Sequence, residues 1–335
     1  MKITHLILTR NFAGSERYAM ELANLQSRTH DVSIIISPQA AESRPEALLH
    51  RIDPSVKVFV LKHKLRFLQI FEARRLLKKI NPDIAHSHLN RACRALKGYT
   101  GTSKRVATLH IHYKRQQHEK LDGLIAIAQW QLADIPEKLL GHTSQIDNWT
   151  ADNSAGTTKR ESMRAQFGIK PADILIGALG RTVDSKGFDT LIKAFRQSNI
   201  PNARLAIIGS GKAWNKLKAM AGPDIIMPGF CPTPADWLAA FDVFVSSARS
   251  EPFGLVFLEA MDSGLPILAT ESQGALHLHH LIETPLIPID DVDAMRVALE
   301  SFCSHPVARK HYDLSRYRIE PKALEIEAFY RRLLA

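Results

Sequence analysis

Cysteine is scarce in this chain: three thiols, Cys93, Cys231 and Cys303, in 335 residues. An odd, widely spaced set builds neither a disulfide framework nor a zinc-ligand spacing, and it fits a reducing compartment. No segment approaches the ~20 consecutive apolar residues that a membrane span needs. The N-terminal run Ile3–Thr9 is too short for a signal-peptide core and reads as a first strand. Internal repeats and low-complexity tracts are absent, and a chain that is 45% apolar and 23% charged is neither disordered nor fibrous. There is no helix-turn-helix, RNA-binding signature or zinc finger, so nucleic acid is not an expected partner. Gly209-Ser210-Gly211 follows a strand, but Trp214 stands where a dinucleotide fingerprint has its third glycine. That argues against a nicotinamide dehydrogenase. These absences leave a cytoplasmic protein, or one held peripherally at the inner face of the cytoplasmic membrane.

What the chain does have is positive charge, and it is uneven. Residues 1–165 hold 26 basic and 15 acidic side chains; residues 166–335 hold 18 and 19. A basic first half points to an anionic partner and, with nucleic acid set aside for want of its signatures, to phospholipid or an acidic substrate. The densest cluster is Lys57, Lys62, Lys64, Arg66, Arg74, Arg75, Lys78 and Lys79, opposed only by Glu72. Leu65, Leu68, Phe71 and Leu76 interleave at roughly helical spacing. Two readings follow: a solvated helix face, or a basic amphipathic patch for anionic lipid, where each cation is worth ~1 kcal/mol.

Strands and helices alternate from end to end, which implies parallel sheets with right-handed crossovers. Strands are expected at Ile3–Thr9, Val32–Ser37, Val56–Leu61, Ile84–Ser87, Arg105–Leu109 and Leu124–Ala128. A second series covers Ile174–Leu179, Arg204–Ile208, Ile225–Met227, Val243–Ser246, Pro266–Ala269 and Leu286–Ile289. A helix is expected over Gln129–Leu140, with Pro136 awkward inside it. The polar stretch Asn148–Lys159 reads as a linker. The expectation is a first domain over 1–150, a second over 151–315, and a terminal helix over 316–335. Ligands of such sheets bind beyond the carboxyl ends of the strands, so chemistry should follow the strands.

It does. Gly14 and Ser15 open a helix after the first strand, offering backbone N–H groups to an anion. Arg181 and Lys186 follow the strand that ends at Gly180, where two cations can clamp a diphosphate. Glu251-Pro252-Phe253-Gly254-Leu255 makes a tight turn into a helix that carries Glu259 one turn later. The amides around Phe253, Gly254 and Leu255 favour a phosphate, and the flanking carboxylates accept hydrogen bonds from hydroxyls. A ligand with hydroxyls on both sides of a diphosphate is a nucleotide sugar.

Glu251–Leu255, with Glu259-Ala260-Met261 and Gly264-Leu265-Pro266, closely resembles the E-x7-E region of the family 4 glycosyltransferases. Ala13-Gly14-Ser15-Glu16-Arg17 resembles their Gly-Gly-Ala-Glu-Arg loop. Asp83–His88, Thr108-Leu109-His110, Gly180-Arg181 with Lys186-Gly187, and Gly209 with Gly211 follow in the family's order. The resemblance implies a GT-B fold: two α/β Rossmann-like parallel-sheet domains facing across a cleft, the first for the acceptor and the second for the donor. It implies a retaining, metal-independent transfer of a hexosyl-type sugar from a UDP- or GDP-sugar to a glycan or glycolipid, of the kind found in lipopolysaccharide core or surface-polysaccharide assembly. Arg181 and Lys186 would hold the diphosphate, Glu259 the ribose and Glu251 the sugar. Gly14 would line the phosphate side, and His110 would approach the sugar. Gly209, Phe253, Gly254 and Leu255 would shape the nucleotide site, and no metal or separate cofactor is expected. Two departures stand out: Ala13 replaces a glycine, and Gln273-Gly274-Ala275-Leu276-His277 replaces the usual Gly-Gly and Pro-Glu. The alternatives are a non-catalytic saccharide- or nucleotide-binding protein and another GT-B enzyme such as a phosphorylase.

Overall fold

The computed structural model describes residues 1–10, 12–44, 47–150 and 157–335. It divides into two compact units, Met1–Trp149 with Arg316–Ala335, and Thr150–Ser315. Each is a parallel sheet flanked by helices. In the first, β1 (Lys2–Ile7), β2 (Asp31–Ile36), β3 (Lys57–Val60), β4 (Ile84–His88), β5 (Lys104–Leu109), β6 (Gly123–Ala126) and β7 (Thr143–Gln145) lie in the order β3-β2-β1-β4-β5-β6-β7.

Alternation along these strands sorts the side chains onto two faces. Ile3, Ile7, Ile34, Ile84, Val106 and Ile125 share one core with Tyr18 of helix Gly14–Gln26 and with Ile326, Phe329 and Tyr330 of helix Ile319–Leu334. The C-terminal helix thus completes the first unit. Leu6, Leu8, Ala85, Ala107 and Leu124 form the other core, with Ala73 and Leu77 of helix Arg66–Ile80 and Leu96 of helix Leu89–Lys97.

The second unit holds β8 (Ile174–Leu179), β9 (Ala203–Ile208), β10 (Ile225–Gly229), β11 (Val243–Ser246) and β12 (Ile267–Ala269), ordered β10-β9-β8-β11-β12. Its core includes Ile176, Leu205, Ile207, Val243 and Val245, all buried. Both sheets reverse their strand order once, between β1 and β4 and between β8 and β11. Those are the switch points where the carboxyl edge opens to a ligand.

Three expectations need correction. Leu286–Ile289 is not a strand; Ile287 makes one isolated bridge to Thr270, because Pro285 and Pro288 remove the neighbouring ladder donors. Gln129–Leu140 is not one helix. A 3-10 turn covers Gln129–Asp134 and a short helix covers Glu137–Leu140, broken at Pro136, whose ring excludes the preceding helical turn. The expected linker is shorter than read. Trp149 is buried, stacks on Tyr18 at 4.1 Å and donates to Glu21 (2.7 Å). Helix Thr157–Gln166 takes its far end, and residues 151–156 lie outside the described residues.

Candidate active site

The second unit places its expected residues around one switch point. Lys186 lies in the loop after β8 and Glu251 in the loop after β11, and the ammonium is ion-paired with Glu251 Oε2. Adjacent parallel strands thereby put two loops 65 residues apart in sequence into direct contact. Arg181 is exposed, and its guanidinium has no polar partner among the described residues. A guanidinium without a partner, in the same loop as an ammonium held by one carboxylate, suits an anion.

The turn after Glu251 is built for its helix. Phe253 is buried and packs against His277. Gly254 takes φ +84° as the N-cap of helix Leu255–Asp262, a conformation that a side chain disfavours. Leu255 is the first helical residue, so its amide and the next have no intrahelical acceptor. Glu259 follows one turn on and is 7% exposed. Gly209, after β9, has φ +137°, and a Cβ there would lie 1.9 Å from the Gly180 carbonyl oxygen. The β8 and β9 loops can approach only because Gly209 has no side chain.

Three groups for which no role was expected hold this geometry. Arg249 reaches Asp189 through both terminal nitrogens (2.9 Å each), Asp290 through Nε (2.7 Å), and the Asp184 carbonyl (2.7 Å). Its hydrogen bonds hold the Asp189 and Asp290 carboxyls below the usual range. The Arg249 and Ser250 amides donate to the Ser185 carbonyl (2.9 and 3.1 Å). Arg249 therefore stitches the Lys186 loop to the Glu251 loop independently of their own ion pair. Gln273 and Gly274, in the segment that departs from the family pattern, support the Glu251 turn. The Gly274 amide donates to the Glu251 carbonyl (2.7 Å), and Gln273 Oε1 accepts from the Glu251 amide (3.3 Å).

In the first unit, Gly14 is the exposed first residue of its helix, and His110 follows β5. Tyr18, one turn into that helix, packs edge-on to His110 at 5.0 Å, so the helix start and the imidazole share one edge of the sheet. His110 is buried and hydrogen-bonded to His88 (3.1 Å), and desolvation pushes its pKa down to about 3. His88 and His86 are buried, His86 bonded to Tyr330 (2.6 Å) and Thr108 (2.8 Å), whereas His112 is exposed against Asp134 (3.0 Å). Leu89, directly after β4 at the switch point, has φ +67°, backbone strain of a kind that collects at functional sites.

Residues 159–316 match the family model described as glycosyl transferases group 1, and residues 12–142 match glycosyltransferase family 4. The chain belongs to the family 4-like glycosyltransferases of GT-B fold. This glycosyltransferase is 27% identical over 285 residues to the lipopolysaccharide core biosynthesis glycosyltransferase LpsE of Rhizobium meliloti, spanning 82% of this chain and 80% of that one. It is 28% identical over 260 residues to the lipopolysaccharide core biosynthesis mannosyltransferase LpsB of the same organism, spanning 70% and 72%. Its fold matches Anabaena HepE in complex with UDP and glucose, with a TM-score of 0.82, 18% identity, and 99% and 100% of the two chains covered. Among the described residues of the glycosyltransferase, no helix is long and apolar enough to cross a membrane.

Proposed function

We propose that the glycosyltransferase moves a hexosyl-type sugar from a nucleotide-diphosphate sugar to a hydroxyl of a glycan or glycolipid, with retention at the anomeric carbon and without a metal. The observation that carries this is the Lys186–Glu251 ion pair across the β8/β11 switch point, beside the helix that Gly254 opens. A bound diphosphate competes with Glu251 for the ammonium, and Arg181 joins it. Glu251 is then released to accept from sugar hydroxyls. The buried Glu259 suits the ribose, Gly14 the phosphates, and His110 the sugar, as the family resemblance implies.

The bond from the anomeric carbon to the β-phosphate oxygen breaks, and a bond to the acceptor oxygen forms on the same face. The acceptor proton passes to the leaving phosphate. Arg181, Lys186 and the helix N-terminus stabilise the charge that develops there, work that fixed cations do without reorganisation.

The names of LpsE and LpsB support an acceptor in lipopolysaccharide core or a related surface glycan. The first unit supports a peripheral, cytoplasmic-face location. On and beside helix Arg66–Ile80, Leu65, Phe67 and Phe71 are 58%, 59% and 62% exposed, among the exposed Lys62, Lys64, Arg66 and Arg75. Exposed aromatics among cations suit an anionic bilayer. Lys57 is set apart by its pairing with Asp31 (2.7 Å).

The test is incubation with UDP-, GDP- and ADP-sugars and a core-type saccharide acceptor, reading nucleotide release and anomeric configuration by NMR. One donor should be consumed, with an α-configured donor giving an α-linked product. Inversion, or turnover only with added phosphate, would contradict the mechanism. Binding without turnover would favour a non-catalytic saccharide- or nucleotide-binding protein.

A further inference from the structure

Two arginines stand where helix electrostatics disfavour them, at the carboxyl edge of the first sheet. Arg66 is the first residue of helix Arg66–Ile80, after β3, and Arg91 lies in the first turn of helix Leu89–Lys97, after β4. Neither first turn holds an acid, although the free amides and the dipole of a helix start favour one. A cation there is unfavourable alone and becomes favourable once an anion joins it.

The fully buried Gln69 gathers these groups. Its Nε2 donates to the His63 carbonyl (2.9 Å) and to Gln39 Oε1 (3.2 Å), and its Oε1 accepts from Arg91 (2.6 Å). A carbonyl only accepts and a guanidinium only donates, so this carboxamide has one possible orientation. The half-buried Arg91 is thus held by a neutral oxygen, and its other N–H groups have no polar partner among the described residues. Burial acts against its charge, and the charge of Arg66 adds to that. Lys64 is exposed beside them, its carbonyl 3.5 Å from Gln69 Nε2. Glu72, the one acid between Val56 and Asn81, is taken up by the Lys62 and His63 amides (2.8 and 3.2 Å). No carboxylate among the described residues pairs with Arg91, Arg66 or Lys64. A half-buried charge with only a neutral partner is costly, and a bound anion removes that cost.

We infer that Arg91, with Arg66 and Lys64, binds one acid group of the acceptor, a phosphate or a carboxylate, so that the acceptor is an acidic saccharide and not a neutral one. That the group belongs to the acceptor rests on the function proposed above, in which Lys186 and Arg181 take the donor's phosphates; that Arg91 binds an anion does not. Its planar fork grips two oxygens of either group, and Arg66 and Lys64 add charge from the exposed side. A bilayer surface reaches Arg66 and Lys64, whereas Arg91, seated on a buried carboxamide, suits a single group that comes down to it.

NMR on the full chain labelled with 15N-arginine tests the site whatever the acceptor is. The Nε–H resonance absent from Arg91→Gln belongs to Arg91. Inorganic phosphate should shift it to saturation, and chloride at equal ionic strength should not. A resonance that phosphate leaves in place would overturn the inference, and so would one that responds to phosphatidylglycerol vesicles but not to phosphate. Arg66→Gln, which leaves the Gln69 contact intact, should weaken the phosphate response by about two- to fivefold, and serves if Arg91→Gln fails to fold. Three forms of a lipopolysaccharide core oligosaccharide then identify the group: native, dephosphorylated and carboxyl-reduced. By calorimetry, wild type should bind the native form at least about tenfold more tightly than one of the stripped forms. Arg91→Gln should lose that gap. Equal binding of the three forms would overturn the assignment to the acceptor. Phosphate binding at Arg91 with no saccharide bound or glycosylated would count against the proposed function and leave the anion site standing.

Discussion

Mild acid should destabilise the first unit steeply, and the buried histidines set the size of the effect. Desolvation lowers His5 to about 4, His110 to about 3 and His118 to about 4, against ~6.5 for a free imidazole. Below pH 6.5 the unfolded chain binds protons at these rings and the folded chain does not, so stability falls with pH until the folded rings titrate. At pH 5 each ring has lost about 2 kcal/mol relative to pH 7.5, or roughly 6 kcal/mol for the three. Burial drives His86 and His88 the same way. A domain is stable by only about 5–15 kcal/mol, so unfolding should begin between pH 6 and pH 5. The carboxylates held low by partners, such as Asp122 and Asp189, lose their contribution only below about pH 4, outside this window. Guanidinium unfolding at pH 7.5, 6.5, 5.5 and 5.0 measures the loss, and its slope gives the protons taken up. Three or more are expected near pH 5, and about one fewer in His5→Gln. Stability that stays level from pH 7.5 to 5.0 would show that these rings are not neutral and desolvated in the fold.

Other substitutions probe the second unit and the exposed helix. Lys186→Ala should lower kcat by on the order of a hundredfold or more while the fold persists by circular dichroism, since a preorganised cation at the leaving group is lost. Arg249→Met should cost about 1–3 kcal/mol in unfolding experiments and lower kcat at least tenfold, with Arg249→Lys recovering only part. Wild-type turnover in Arg249→Met would mean that the Lys186 and Glu251 loops hold their places unaided. Phe67→Ser with Phe71→Ser, or Lys64→Glu with Arg66→Glu, should weaken flotation with anionic liposomes at low salt. Identical flotation would rule out that helix as the contact.

Much of the fold was legible because each strand is a short apolar run between helical stretches, a pattern that survives without tertiary information. β7 was not, since Thr143–Gln145 is polar and its signal lies only in the neighbour it pairs with. Leu286–Ile289 misled because apolar content outweighed two flanking prolines. In the candidate site, Lys186, Glu251, Gly254 and Glu259 stood out through a dense motif. Arg249 did not, although it lies two residues before Glu251, because its partners Asp189 and Asp290 are 60 and 41 residues distant. His5 was hidden in the same way: one histidine in an apolar strand carries no message until β4 brings His86 and His88 beside it. Gln273 and Gly274 stood out only as a departure from the family pattern, yet their bonds to Glu251 give them a supporting role in the turn.

Thermal unfolding of wild type and Glu259→Ala with UDP, GDP, ADP and NAD tests most directly for a nucleotide-diphosphate site in the second unit. A nucleotide at a hundred times its Kd adds about 2.7 kcal/mol. A clear rise in Tm with one diphosphate, a smaller rise in Glu259→Ala, and none with NAD are expected. No rise with any nucleotide, or a rise with NAD alone, would contradict such a site.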